Sequence, residues 1–209
     1  MRPWSLESIE ENNRSMGIRP ASVVERIMDK RTNVVLIGMP GAGKSTVGVL
    51  LAKETARGFV DTDLAIQEVE GRALQDILDA EGYLALRAIE ERVLLALRPE
   101  HQVVATGGSA VYSAPAMDHL RASGVVVYLD VAPDVLLGRI HNFGTRGIAR
   151  RPDQSWNDLF AERTALYRRH ADLVIPCGEE GHEAVCARII DALGSPTGPI
   201  RLDKREKPC

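Results

Sequence analysis

Short apolar runs alternate with amphipathic stretches through most of the chain. Asn33-Val-Val-Leu-Ile37, Gln102-Val-Val-Ala-Thr106, Val125 to Leu129 and Asp172 to Pro176 have the length and β-branched content of buried strands. A further short strand, around Phe59-Val60, ends at Asp61-Thr-Asp63. Between them the period changes to that of helices. Thr46 to Ala56 turns Val47, Leu50 and Leu51 inward, and Leu74, Ile77 and Leu78 recur at i, i+3, i+4 in the helical stretches that run to Arg98. Ala114 to Ala122, Pro133 to His141, Ser155 to His170 and His182 to Leu193 read the same way. Strands alternating with helices predict an α/β fold, a parallel sheet flanked by helices on both faces.

Three stretches fall outside this rhythm. Residues 1–30 are polar, apart from Ala21 to Lys30, where Val23, Val24, Ile27 and Met28 sit at helical spacing, so they predict a partly helical N-terminal extension. Asn142 to Gln154 combines Gly, Pro and Arg with no apolar period, the pattern of a loop that moves as a lid. Residues 194–209 carry three prolines and several charges and read as a flexible tail. The catalytic body is therefore expected at 31–193.

Composition narrows the partners. A chain of 209 residues is long enough for one domain with a substantial core. A net charge of −3 and 4% aromatic residues supply neither a basic field nor stacking platforms, so no nucleic-acid or membrane partner is expected. The three cysteines have no CxxC spacing, no apolar run reaches membrane-spanning length, and the first residues are too acidic for a secretory signal. These features together predict a cytoplasmic protein, a monomer or weak homodimer, acting on a small molecule.

Candidate chemistry starts at Gly38-Met-Pro-Gly-Ala-Gly43-Lys44-Ser45, a full match to G-x-x-x-x-G-K-[ST] placed after a strand and before a helix. Its glycines let backbone N–H groups turn onto phosphate oxygens, assisted by the positive end of the following helix. Gly41, Ala42, Gly43, Lys44, Ser45 and Thr46 are thus expected to hold the phosphates of ATP, with Lys44 on the β/γ oxygens and the Ser45 hydroxyl on Mg²⁺. Strand alternation would point Asp61 and Asp63 the same way at the carboxyl end of the sheet. One carboxylate then serves the magnesium ion, and the other orients a substrate hydroxyl and accepts its proton. The alternative use of the pair is helix capping. Gly107-Gly108-Ser109 is either a second loop offering N–H groups at the same edge or a plain turn. Arg146 in the lid is placed to deliver positive charge to the transferring phosphoryl group.

Taken in order, GMPGAGKST, Asp61-Thr-Asp63, the Arg-x-x-Glu of Arg87 to Glu90, Ala105-Thr-Gly-Gly108, Thr145-Arg146 and Leu166-Tyr-Arg-x-x-Ala-Asp172 resemble the shikimate kinase family over about Asn33 to Leu193. The resemblance implies a three-layer P-loop kinase fold with a five-stranded parallel sheet, and an ATP- and Mg²⁺-dependent transfer to shikimate. It implies Asp61 as the magnesium-side carboxylate and Asp63 as the residue on the acceptor hydroxyl. Arg87 and Arg168 would grip the acceptor's carboxylate, Gly107 and Gly108 would line its pocket, Arg146 would be the lid arginine, and Arg139 would lie along the adenine.

Three positions depart from the family's pattern. Ser109 stands where a third glycine is usual, Arg146 is followed by Gly-Ile-Ala-Arg-Arg-Pro rather than Pro-Leu-Leu, and Gly82-Tyr-Leu-Ala-Leu-Arg87 replaces Gly-Glu-x-x-Phe-Arg. All three fall on the acceptor side. They leave open another small hydroxy acid, such as homoserine or a sugar acid, as the acceptor; a nucleotide-dependent regulatory module gives Asp63 and the lid no role.

Overall fold

The computed structural model describes residues 31–139 and 147–194. The expected N-terminal extension and tail, and Arg146 with the first half of the lid, lie outside them. Strands β1 (Asn33–Ile37), β2 (Gly58–Asp61), β3 (Gln102–Ala105), β4 (Gly124–Val131) and β5 (Leu173–Cys177) form one parallel sheet in the order β2-β3-β1-β4-β5. The helices are α1 (Lys44–Glu54), α2 (Thr62–Glu70), α3 (Leu74–Ala96), α4 (Ala114–Ser123), α5 (Pro133–Arg139), α6 (Trp156–His170) and α7 (His182–Gly194). Every strand expected from the apolar runs is present. A 3₁₀ turn at Ala110–Tyr112, too short to carry a period, adds to the expected elements.

The strand order explains why chemistry collects at one edge. β1 lies between β3 and β4, so the chain leaves neighbouring strands in different directions and opens a crevice at their carboxyl ends. Register makes this edge level: Ala105 of β3 pairs with Leu36 of β1 on one side and with Asp61 of β2 on the other. The loops after β1, β2 and β3 therefore start at the same height.

Two apolar clusters support this edge. The larger packs the fully buried Val35, Leu36, Val103, Val104, Val126 and Val127 of the sheet against inward residues of the helices, including Val47 and Leu51 of α1. The smaller joins Ile66 of α2, Ile77, Leu86 and Val93 of α3, and Ala149 from the loop before α6. α3 bends at Gly82, whose φ of 82° is left-handed, and the segment after the bend carries Arg87 and the buried Leu86 and Glu90.

Candidate active site

The phosphate-type loop has the backbone its glycines allow. Gly41 and Gly43 have φ of 82° and 89°, a region that a Cβ disfavours, and Gly43 leads directly into α1. The first turn of α1 holds no acidic side chain, so its free amides and helix dipole remain available to an anion. Ala42 turns its methyl into the core, whereas Gly41, Gly43, Lys44, Ser45 and Thr46 line an open cavity of about 500 Å³. Lys44 folds back over the loop, Nζ donating to the carbonyls of Gly38 at 2.8 Å and Met39 at 2.9 Å. Burial brings its pKa down to about 8, against the opposing pull of Asp63.

Strand alternation does not explain how Asp61 and Asp63 meet. β2 ends at Asp61 and α2 begins at Thr62, so Asp61 is the helix N-cap and accepts from the Asp63 N–H at 3.0 Å. The other Asp61 oxygen accepts from the Ser45 hydroxyl at 2.6 Å, which ties the end of β2 to the start of α1. Capping and convergence are thus the same arrangement. Asp63, in the first turn of α2, lines the cavity, and burial raises its pKa while Lys44 opposes the shift.

The turn after β3 is built by close approach. The Gly107 N–H is already used, donating to Thr62 Oγ1 at 2.9 Å, so it does not serve as a free donor for a ligand. A Cβ on Gly108 would sit 2.9 Å from Arg163 Nη1 and 3.0 Å from Pro40 Cδ, so glycine there lets the phosphate loop, the turn and α6 meet. The Gly108 carbonyl accepts from the Tyr167 hydroxyl at 2.6 Å. Ser109 donates to Glu90, which burial pushes up to about 7; repulsion from Asp63 adds to that shift, and the Ser109 hydrogen bond and the charges of Arg163 and Arg87 oppose it.

The arginines differ from the expectation. Arg168 is 54% exposed and pairs with Asp130 at 3.1 Å, outside the cavity; it lies on the outer face of α6. The arginine on the inner face is Arg163, 1% exposed and lining the cavity, with Nη2 donating to the Ala149 carbonyl at 2.7 Å. Arg87 reaches the same oxygen at 3.3 Å, with its guanidinium 3.4 Å from the Tyr112 ring centre and 5.2 Å from that of Tyr83. Its side chain stands behind the cavity wall rather than in it. Nε of both arginines is buried without a partner, and among the described residues no carboxylate lies at ion-pair distance from either.

Arg139 lines the cavity and donates to the Gly178 carbonyl at 3.0 Å. His182, at the start of α7, packs against Gly43 and was not singled out by its sequence context. The second half of the expected lid is anchored rather than free: Ile148 and Ala149 are buried, and Gly147 N–H donates to Gln75 Oε1 at 2.9 Å. Arg163 and Glu90 carry the signal that was missed. Each is a charge on the inward stripe of its helix, with Leu159, Arg163 and Tyr167 on α6 and Leu86, Glu90 and Val93 on α3 all buried.

The family model for shikimate kinase matches residues 40–194. The shikimate kinase of Mycobacterium avium is 38% identical over 162 residues, covering 76% of this chain and 92% of that protein. That of Synechococcus sp. is 36% identical over 166 residues, covering 78% and 83%. Among solved structures, shikimate kinase from Acinetobacter baumannii in complex with shikimate superposes with a TM-score of 0.71 at 33% identity, covering 77% of this chain and 92% of that one. Shikimate kinase from Aquifex aeolicus gives 0.66 at 31% identity, covering 77% and 95%.

Proposed function

The chain belongs to the shikimate kinase family, and from that premise we propose that it transfers the γ-phosphoryl group of ATP to the 3-hydroxyl of shikimate. The observation that carries this reading is Arg163, a buried guanidinium lining the same cavity as Asp63 and lacking any carboxylate partner among the described residues. A buried unpaired cation is costly unless a ligand anion meets it, and a planar guanidinium matches a carboxylate. Arg87 backs the same position from Ala149.

Each remaining side chain has a task in phosphoryl transfer. The glycine-lined loop and the N-terminus of α1 cradle the triphosphate, and Lys44 exchanges its carbonyl partners for phosphate oxygens. Ser45 and Asp61, already joined, suit Mg²⁺, which takes one or two protein oxygens and completes its shell with phosphates and water. When bound, the ion supplies charge to the phosphate oxygens. Asp63 orients the acceptor hydroxyl and takes its proton as the oxygen–phosphorus bond forms and the bond to ADP breaks; its raised pKa suits that role. Arg139 borders the nucleotide, and Arg146 is the proposed lid arginine within the catalytic body at 31–193.

Ser109 supports a second reading, in which the acceptor is another small hydroxy acid. ADP release measured with shikimate, homoserine and aldonic acids separates the two. Shikimate giving the highest kcat/KM is the expected result; no turnover of millimolar shikimate by protein that binds ATP overturns the first reading.

A further inference from the structure

The Arg-Arg-Pro run before α6 makes a set of contacts that the proposed transfer does not use. Arg151 pairs with Glu162 of α6 at 3.3 Å. Gln154, 4% exposed, donates from Nε2 to the same Glu162 Oε2 at 2.6 Å, and its own Oε1 accepts from the Arg151 N–H at 3.4 Å. Arg150 closes the turn by donating to the Gln154 carbonyl at 2.8 Å. Glu162 thus fixes the segment that enters α6.

That anchor brings a negative charge close to the acceptor arginines. Glu162 directly precedes Arg163, so it leaves α6 about 100° around the helix from the inward stripe. Tyr112 connects the three residues. Its ring centre lies 3.4 Å from the Arg87 guanidinium and 5.5 Å from that of Arg163, while burial raises the pKa of its hydroxyl and Glu162 adds to the rise. Burial lowers the pKa of Arg87, and Glu162 opposes that shift. Glu162 itself is ionised at neutral pH: burial works against its charge, but Tyr112, Arg151, Gln154 and Arg87 hold its pKa below the ordinary carboxylate value. Neither Glu162 nor Arg151 lines the cavity.

The carboxylate of an acceptor and that of Glu162 therefore act on the same cation, and they repel each other. We propose that Arg151 is a positioning residue for acceptor binding, which cancels the charge of Glu162 and keeps that carboxylate on Gln154, so that Arg87 and Arg163 present an undiminished positive field to the cavity. This rests on the acceptor reading above and adds a determinant of acceptor affinity behind the cavity wall. It also gives the basic departure after Arg146 a physical purpose. Without Arg151, Glu162 is an uncompensated anion beside Arg87, and an incoming carboxylate meets a weaker attraction. The pair is part-exposed, with side chains 48% and 31% accessible, so it contributes little to stability and its removal leaves the fold intact.

The test is steady-state kinetics of the full chain with shikimate and ATP varied in turn. Arg151→Ala is expected to raise the KM for shikimate about 3- to 10-fold, with kcat and the KM for ATP within about 2-fold of wild type, and Arg151→Lys, which keeps the charge, should stay within about 2-fold throughout. Arg151→Ala combined with Glu162→Gln removes both charges while the glutamine still accepts from Gln154, and it should return the KM for shikimate to within about 2-fold of wild type. A purely structural role for the pair would not give that rescue. An unchanged KM in Arg151→Ala, a rise that persists in the double variant, or a fall in kcat with a rise in the KM for ATP each overturns the inference, while wild-type turnover of shikimate leaves the acceptor reading standing. Absence of wild-type turnover overturns the acceptor reading and the inference with it.

Discussion

Arg163 and Arg87 donate to a single backbone oxygen, the carbonyl of Ala149, at 2.7 and 3.3 Å. A neutral carbonyl is a weak match for two guanidinium groups, and a carboxylate makes stronger, charge-assisted bonds. The arrangement is thus prepared for an anion. Tyr112 and Tyr83 hold Arg87 in this role, which gives the departure at Gly82-Tyr83 a physical reason: an aromatic face replaces an acidic neighbour beside the cation.

Replacing Arg163 by Ala should lower kcat/KM for shikimate by about 10²-fold or more, since a charged hydrogen-bonding partner at a buried site is lost. The KM for ATP should stay within about 3-fold of wild type, as expected of a substitution confined to the acceptor side. Arg168→Ala should leave both within about 2-fold, because its exposed pair with Asp130 contributes little. Coupled ADP-release kinetics on the two variants check this; a larger effect from Arg168 than from Arg163 contradicts the assignment.

Asp63→Asn removes the proton acceptor but keeps the shape of the first turn of α2. The expected loss is about 10²–10⁴-fold in kcat, with ATP affinity by calorimetry nearly unchanged. Turnover at the wild-type rate would take Asp63 out of the mechanism.

Gly108→Ala forces a methyl into the contact with Arg163 Nη1 and Pro40 Cδ. The end of the Arg163 side chain can swing aside, but the Pro40 ring is rigid, so relief there must come by moving the phosphate loop. Loss of about 1–3 kcal/mol of stability in urea unfolding is expected, together with higher KM for both substrates. An unchanged KM for ATP would show that the loop does not depend on this contact.

Glu90 makes stability pH-dependent. Its pKa is about 7 in the folded protein against 4.5 in the unfolded chain, so between these values only the folded state holds the proton. The contribution to stability is complete below pH 4.5 and is lost as pH rises through 7. Asp63 shifts in the same direction but is present in both proteins when wild type is compared with Glu90→Gln. The stability of wild type relative to that variant should fall by roughly 3 kcal/mol between pH 4 and pH 8. Urea midpoints at the two pH values give the measurement, and parallel curves would place the titration elsewhere.

Strands and the phosphate loop were legible because their signals are local: β-branched runs for the sheet, glycines and lysine at fixed spacing for the loop. Helix capping and a functional carboxylate pair are alternative readings of Asp61-Thr-Asp63 in sequence, and in the structure the Asp61 cap, which accepts from the Asp63 N–H, is what joins the two residues. The arginine proposed for the acceptor is harder to read from sequence. The Leu166-Tyr-Arg segment stands out, but its fixed parts are Tyr167, beneath Gly108, and Asp172, which accepts from the Val126 N–H at 3.0 Å and pairs with Arg31. Arg168 faces outward from the same helix. Arg163, four residues before Tyr167, shares its inward stripe, and only its place on that stripe sets it apart from a solvated charge. Glu90 carries the same ambiguity, since the Arg-x-x-Glu spacing alone does not say which face of the helix it takes. Which face a charged residue takes depends on the helix's packing, and α3 turns at Gly82, which a period alone does not convey.

Phosphorus NMR of a reaction containing the protein, ATP, Mg²⁺ and shikimate reads both products of the proposed transfer at once. The expected products are ADP and one phosphomonoester, coupled to the proton on carbon 3 of shikimate, with the ester signal lost in Asp63→Asn and strongly reduced in Arg163→Ala. ATP left intact beside shikimate, or hydrolysed to ADP and free phosphate without ester, would contradict it.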